Sequence, residues 1–168
     1  GLEENDIVVT GNGSACVVSF QAAEIKKGQR LFTNSGCASM GYGLPAALGA
    51  CIAEGEKRVI CLDGDGSLMM NLQELQTIRY NNCNMKLFVL NNNGYHSIRQ
   101  TQNNLFKNGL VGVCDGNGVN FPPFDKLADT FGFRYFKIDS LDGIEEKLQE
   151  VLNTDGPVPV SYTHLRAH

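Results

Sequence analysis

Short apolar runs punctuate this chain, and the stretches between them carry apolar residues at helical spacing. The runs are Ile7–Thr10, Arg30–Thr33, Arg58–Leu62, Lys86–Leu90 and Arg134–Ile138. Unbroken segments such as Val59-Ile60-Cys61-Leu62 and Leu87-Phe88-Val89-Leu90, ending in Gly or Asn, predict strands buried on both faces of a parallel sheet. Asp155-Gly156-Pro157-Val158 is a turn signal that introduces a last strand. Helices are predicted over Ser14–Ile25, Gly43–Glu54, Asn71–Asn81, Phe124–Phe131 and Leu141–Asn153. In the third, Leu72, Leu75 and Ile78 share a face, and Asn71 with Glu74 reads as a capping pair. Gly43–Glu54 is small and apolar almost all round, which predicts burial against the sheet, whereas Leu141, Ile144, Leu148 and Val151 give the last helix one apolar stripe. The alternation gives an α/β fold: a doubly wound, mostly parallel sheet with helices on both faces. One stretch follows neither pattern. Asn103 to Pro123 is rich in Asn and Gly, and a loop of that length in a compact domain predicts a lid or a disordered piece.

Composition narrows the classes. A chain of 168 residues suits one domain, and 42% hydrophobic with 19% charged residues is ordinary for a globular protein. A net charge of −4 with a pI near 5.3 argues against nucleic acid or an anionic membrane surface as partner. No apolar stretch approaches the roughly 20 residues of a membrane helix. Six cysteines, at 16, 37, 51, 61, 83 and 114, form no CxxC pair, so they read as reduced, mostly buried thiols of a cytoplasmic protein. Residues 1–160 are taken as the domain. The octapeptide Ser161 to His168 resembles a translated sequencing-library adapter and is expected to be a non-native tail, exposed and outside the sheet, which leaves His164 and His168 without function.

The chemistry gathers at two strand ends. Gly64-Asp65-Gly66-Ser67 and Asn91-Asn92-Asn93-Gly94-Tyr95 each follow an apolar run, and a right-handed βαβ crossover would bring the two tips together, where open α/β sheets bind ligands. Asp65 offers a carboxylate, Asn92 an amide oxygen and Gly94 a backbone carbonyl. These are hard oxygen ligands of the kind Mg²⁺ accepts, with positions left for phosphate oxygens and water. The glycines flanking Asp65 let backbone approach a diphosphate, and the amides of Gly66 and Ser67 point where a helix N-terminus attracts anions. Two rival motifs overlap the site. Asp63-Gly64-Asp65-Gly66-Ser67-Leu68 resembles the nucleophile motif of haloacid-dehalogenase-like phosphatases, but no suitable acidic pair follows it. The same stretch mimics a calcium loop with Leu68 where that loop needs Gly.

Gly64-Asp65-Gly66, then a helix, then Asn91-Asn92, with Asn92 27 positions after Asp65, resembles the cofactor motif of thiamine diphosphate enzymes. Ser39-Met40-Gly41-Tyr42-Gly43-Leu44-Pro45-Ala46-Ala47 and Asn71-Leu72-Gln73-Glu74-Leu75 are similar to segments of acetolactate synthase large subunits. The resemblance runs from Ile7 to about Pro159 and implies that family's carboxyl-terminal, diphosphate-binding domain. It implies thiamine diphosphate and Mg²⁺ as cofactors, with Asp65, Asn92 and Gly94 on the metal. It further implies Gly13, Ser14 and Ala15 at the far end of the diphosphate, and Gly64, Gly66, Ser67 and Tyr95 around it. Met40 would wedge between the cofactor's two rings, and the Ala38 carbonyl would accept from its amino group. Ile98, Thr101 and His96 would line the substrate pocket, with the small Thr101 standing where biosynthetic members carry Trp.

The implied activity is decarboxylation of a 2-keto acid, pyruvate first, and ligation of the product to a carbonyl acceptor. Simple decarboxylation (lyase rather than transferase chemistry), transfer to a keto-sugar and a non-catalytic regulatory domain are the alternatives. The activating glutamate belongs to the family's amino-terminal domain, usually of a partner subunit, in a homodimer or homotetramer. No catalytic residue is therefore assignable here. In some relatives a middle domain carries FAD.

Overall fold

The computed structural model describes residues 1–55, 57–107 and 109–163. In chain order the elements are β1 (Ile7–Thr10), α1 (Ser14–Ala22), β2 (Arg30–Phe32), α2 (Gly43–Glu54), β3 (Val59–Gly64) and the single turn α3 (Asp65–Leu68). A 3₁₀ turn over Met69–Asn71 leads to α4 (Glu74–Tyr80) and β4 (Met85–Asn91). Then come α5 (His96–Leu105), α6 (Phe124–Thr130), β5 (Phe136–Ile138), α7 (Ile144–Asn153) and β6 (Val158–Thr163). The six strands form one sheet in the order β2-β1-β3-β4-β6-β5, and every pairing is parallel.

Side chains alternate across the pleat, so each strand feeds two cores. Ile7, Val9, Val59, Cys61, Met85, Leu87 and Val89 pack with Leu44, Ala47, Leu48 and Cys51 of α2, Leu75 and Ile78 of α4, and Ala128 of α6. Val8, Ile60, Phe88, Val158 and Val160 turn the other way, against Val151 and Leu152 of α7. A one-residue slip in any central strand would exchange these sets, so burial on both faces fixes the register. The strip Gly43, Leu44, Ala47, Leu48 and Cys51 sets α2 on the sheet, while Ile52 on its far side is exposed, so the helix is buried on one face rather than all round. Among the described residues no helix is long and apolar enough to cross a membrane.

Lys86 breaks the apolar pattern of β4. It is wholly buried, and its ammonium donates to Asn84 Oδ1 (3.0 Å) and to the carbonyls of Thr154 and Gly156 (2.6 Å each), tying β4 to the turn before β6. Burial pushes its pKa down to about 8.

Two expectations need correction. Asn71 does not cap α4; its amide donates to the Gly41 carbonyl (2.6 Å), and α4 starts only at Glu74. Ser161, Tyr162 and Thr163 are not exposed chain outside the sheet. They continue β6, paired with Val89, Leu90 and Asn91 on one side, and Ser161 is buried. A strand between two neighbours, continuing the alternation of Val158 and Val160, holds whatever side chains come next. His164 to His168 lie outside the described residues.

Two measurements check this architecture. All six cysteines are free; Cys51, Cys61 and Cys83 are buried and Cys37 is exposed. Burial pushes the Cys51 thiol up to about 12 and Cys61 well above its ordinary value. Iodoacetamide at pH 8 is expected to label Cys37 in the folded protein and to reach Cys51 and Cys61 only after denaturant, since the thiolate is the reactive form. Truncation before Ser161 removes half of β6 and is expected to cost more than about 2 kcal/mol in urea unfolding, beyond the range of surface changes.

Candidate functional site

The strand order reverses beside β1: its connection leads outward to β2, whereas β3 leads the other way to β4. At such a switch point the loops leaving the carboxyl ends of the strands part and open a crevice. Here the crevice is lined by Asn12, Gly13, Ser14 and Ala15 after β1, Gly64 at the end of β3 with Asp65, Gly66 and Ser67 after it, and Asn92, Gly94, Tyr95, His96, Ser97 and Ile98 after β4. Met40 closes one wall from the loop before α2.

Asp65 sits at the centre, 2% exposed. Its Oδ1 accepts from the Gly66 amide (2.7 Å), and its Oδ2 accepts from the Gly94 amide (3.0 Å), across from one strand tip to the next. Burial holds its carboxyl above the ordinary carboxylate range, with the amides of Gly94, Gly66, Asn92 and Asn93 pulling it back. Desolvation of the ionised form therefore exceeds what those amides return. Two glycines make the geometry possible. A Cβ on Gly66 would lie 2.2 Å from the Tyr95 ring, which stacks edge-on against Phe121. Gly94, at φ 130°, would drive a Cβ to 2.0 Å from the Val113 carbonyl.

Asp63 plays a different part. It is fully buried on the α2 side, wedged between Gly11 and Gly43, where Cβ atoms would stand 2.0 and 2.7 Å from its carboxylate oxygens. Its Oδ1 accepts from the Gly64 amide (2.9 Å), and burial pushes its pKa up to about 6 against the pull of Ser67 and the amides of Gly64 and Leu44. A carboxylate so enclosed cannot attack an incoming phosphate, which removes the phosphatase-like reading. The Ser67 hydroxyl is likewise engaged, accepting from the Gly41 amide (2.8 Å). With Asn71 on the Gly41 carbonyl, both polar groups of Gly41 are held, and the turn carrying Met40 is fixed to the loop carrying Asp65.

Most residues singled out by sequence thus share one cleft, and two do not. Ala38 is exposed in a turn, at a left-handed φ of 48° that alanine rarely adopts, and is not among the lining residues. Thr101 is exposed on α5, where its hydroxyl donates to the Ser97 carbonyl (3.0 Å); His96 and Ile98 face the cleft instead. Asn12 and Ser97 line it as well, and so does Leu90, which sequence reasoning placed only in a buried strand.

The segment after α5 is no free lid. Tyr95 N donates to the Val113 carbonyl (2.8 Å), and Gly94 forms an antiparallel bridge with Cys114. Gln102 brackets Val111 through two hydrogen bonds (3.0 and 2.9 Å), and Asn117 Oδ1 accepts from the amides of Val113 and Cys114 (2.8 Å each). Side-chain amides here supply the backbone partners that a sheet would otherwise provide.

The cleft fits a metal-bound diphosphate. Its floor is Gly13, Ser14, Ala15, Gly64 and Gly66, and a Cβ on Gly64 would meet nothing within 4 Å, so backbone lies open to a ligand. α1 begins at this floor with its first-turn amides, the end of a helix that favours anions. Among the described residues no three His, Cys, Asp or Glu groups cluster as metal ligands. A divalent ion here would rest on Asp65 and neutral oxygens such as that of Asn92, with phosphate completing its shell.

A parallel α/β sheet with a crevice at its switch point, into which Gly13, Gly64, Gly66 and Gly94 bring bare backbone, defines the class of domain that binds a nucleotide or a diphosphate cofactor at its strand ends. Residues 11–162 match the family described as thiamine pyrophosphate enzyme, C-terminal TPP binding domain, and the chain belongs to it. The match extends to Tyr162, within β6. The chain is similar to the acetolactate synthase isozyme 1 large subunit of Escherichia coli K12, at 31% identity over 93% of this chain and 27% of that protein. It is also similar to the acetolactate synthase large subunit of Cyanidium caldarium, at 35% over 82% and 23%, and to the mitochondrial acetolactate synthase catalytic subunit of Aspergillus candidus, at 34% over 92% and 22%. The chain therefore spans about a quarter of the length of these relatives.

Gly66→Ala, which must displace Tyr95 and Phe121, is expected to destabilise by about 1–3 kcal/mol in chemical denaturation. Gly64→Ala, extended at φ −84° with open space around it, is expected to stay within about 0.5 kcal/mol.

Proposed function

We propose that this chain is the diphosphate- and metal-binding portion of an acetolactate-synthase-like carboligase that decarboxylates a 2-keto acid, pyruvate first, and joins the product to a carbonyl acceptor. The observation that carries this reading is the convergence of Gly13–Ala15, Gly64–Ser67, Asn92 and Gly94 on one cleft in a chain of this family. Asp65, Asn92 and the Gly94 carbonyl would hold Mg²⁺, and the amides of Ser67 and the start of α1 would receive the diphosphate, the Gly66 amide being taken by Asp65 Oδ1. When bound, thiamine diphosphate supplies the electron sink that decarboxylation of a 2-keto acid requires. Met40 would press on the cofactor's ring system and fix its shape, so that geometry is set before the substrate arrives. His96 and Ile98 face the side where the substrate would enter.

The reading includes a partner. α1 turns Val17, Val18 and Phe20 outward at 53%, 60% and 49% exposure, an apolar face beginning at the cleft, which supports association with a second domain or subunit. That partner would supply the activating carboxylate, in a homodimer or homotetramer; FAD, if used, would sit in a further domain. The free thiols support a cytoplasmic setting.

Calorimetry in the full-length enzyme tests the site. Asp65→Ala is expected to abolish Mg²⁺-dependent binding of thiamine diphosphate, because the metal loses its only protein anion. Asn92→Ala, where water can replace a neutral ligand, is expected to weaken it by roughly tenfold, about 1.4 kcal/mol. Unchanged affinity in Asp65→Ala would refute the site. By itself the 168-residue chain is expected to consume no pyruvate above an Asp65→Ala control; turnover would place an activating group within it.

A further inference from the structure

The 93–94 peptide is gripped from both sides. Its N–H, on Gly94, donates to Asp65 Oδ2 (3.0 Å), and its carbonyl, on Asn93, accepts from Arg99 Nη1 (3.4 Å). In a trans peptide these two groups point in opposite directions, and the described residues contain no cis bond. Asp65 and Arg99 therefore stand at opposite edges of one peptide plane. The preceding peptide is held alike, with the Asn92 carbonyl accepting from Arg99 Nη2 (3.0 Å) and the Asn93 amide donating to Asn91 Oδ1 (3.2 Å).

The backbone here is not at rest without help. Asn93 lies at φ 53° and Gly94 at φ 130°, positions off the extended path that β4 would otherwise continue. Arg99 is placed for the task by the helix. Its amide donates to the Tyr95 carbonyl (2.9 Å) in the first turn of α5, and helical side chains lean toward the N-terminus, back over the loop that feeds the helix. A guanidinium is a planar fork that can take two carbonyls at once, which an ammonium does less well.

We infer that Arg99 is a positioning residue for the metal site: by drawing the carbonyls of Asn92 and Asn93 outward, it turns the amides of this loop toward Asp65 and sets where the Asn92 side chain can ligate. The inference rests on the reading of Asp65 and Asn92 as metal ligands. It assigns Arg99 no contact with metal, diphosphate or substrate.

The test is a Mg²⁺ titration of thiamine diphosphate binding in the full-length enzyme, followed by calorimetry, beside the melting temperature of the apo protein. Arg99→Met is expected to raise the Mg²⁺ concentration for half-saturation by about tenfold or more, as for residues that orient metal ligands, while kcat at saturating metal changes little. Arg99→Lys is expected to recover part of the loss. Half-saturation within twofold of the parent in Arg99→Met would overturn the inference, whether or not the melting temperature falls. Asp65→Ala in the same series separates the two claims. If it retains metal-dependent binding, the metal site itself is wrong and this inference falls with it. If it loses binding while Arg99→Met does not, only the role of Arg99 is refuted.

Discussion

The carboxylate of Asp65 is the point on which the site depends. It is enclosed by protein, yet it belongs to two strand tips at once, one oxygen on the amide of its own loop and the other on the amide of Gly94. A buried carboxylate is costly to desolvate, so this arrangement persists only where donors are already turned toward it. That requirement propagates outward. Gly66 must lack a side chain so that Tyr95 and Phe121 can cover it, Gly94 must lack one so that Val113 can approach, and the peptides of Asn92 and Asn93 must present their amides inward.

Two aspartates two positions apart have separate fates. Asp63 points with Val59 and Cys61 toward α2, where the absence of side chains at Gly11 and Gly43 leaves just enough room for its carboxylate. It links the β1 loop, the β3 loop and the start of α2. Asp65, past the end of the strand, lies in the crevice between β1, β3 and β4. Chemistry and support are thus drawn from the same short motif, divided by the pleat.

The walls of the cleft are held by polar side chains, a hydroxyl and several amides, as well as by the sheet. Ser67 and Asn71 fix Gly41 and with it the turn bearing Met40; Gln102 and Asn117 fix the strap from Val111 to Cys114 behind Gly94. These contacts hold irregular backbone that no strand neighbour satisfies. For a family whose cofactor supplies the reactive atoms, holding those walls still is the protein's principal contribution.

Much of this was legible in the sequence. The central strands β3 and β4 followed from the apolar runs Val59–Leu62 and Leu87–Leu90, because burial on both faces leaves little polar alternation there. Gly64-Asp65-Gly66 and Asn91-Asn92 marked the cleft, because open α/β sheets bind at strand ends whatever the ligand. What escaped were features decided by contacts distant in the chain. Asn71 had the right spacing for a helix cap, but the Gly41 carbonyl, 30 residues away, competed for its amide and won. The Asn- and Gly-rich stretch before α6 looked unstructured, since its order comes from Gln102, Gly94 and Tyr95 together with its own Asn117, none of which forms a periodic pattern. Ser161 to Thr163 read as tail, yet the open edges of β4 and β5 accept any backbone that follows Val160. Local pattern determined where strands and turns lie. Tertiary structure decided which polar group found which partner, because a hydrogen bond is assigned by proximity in space and not by spacing along the chain.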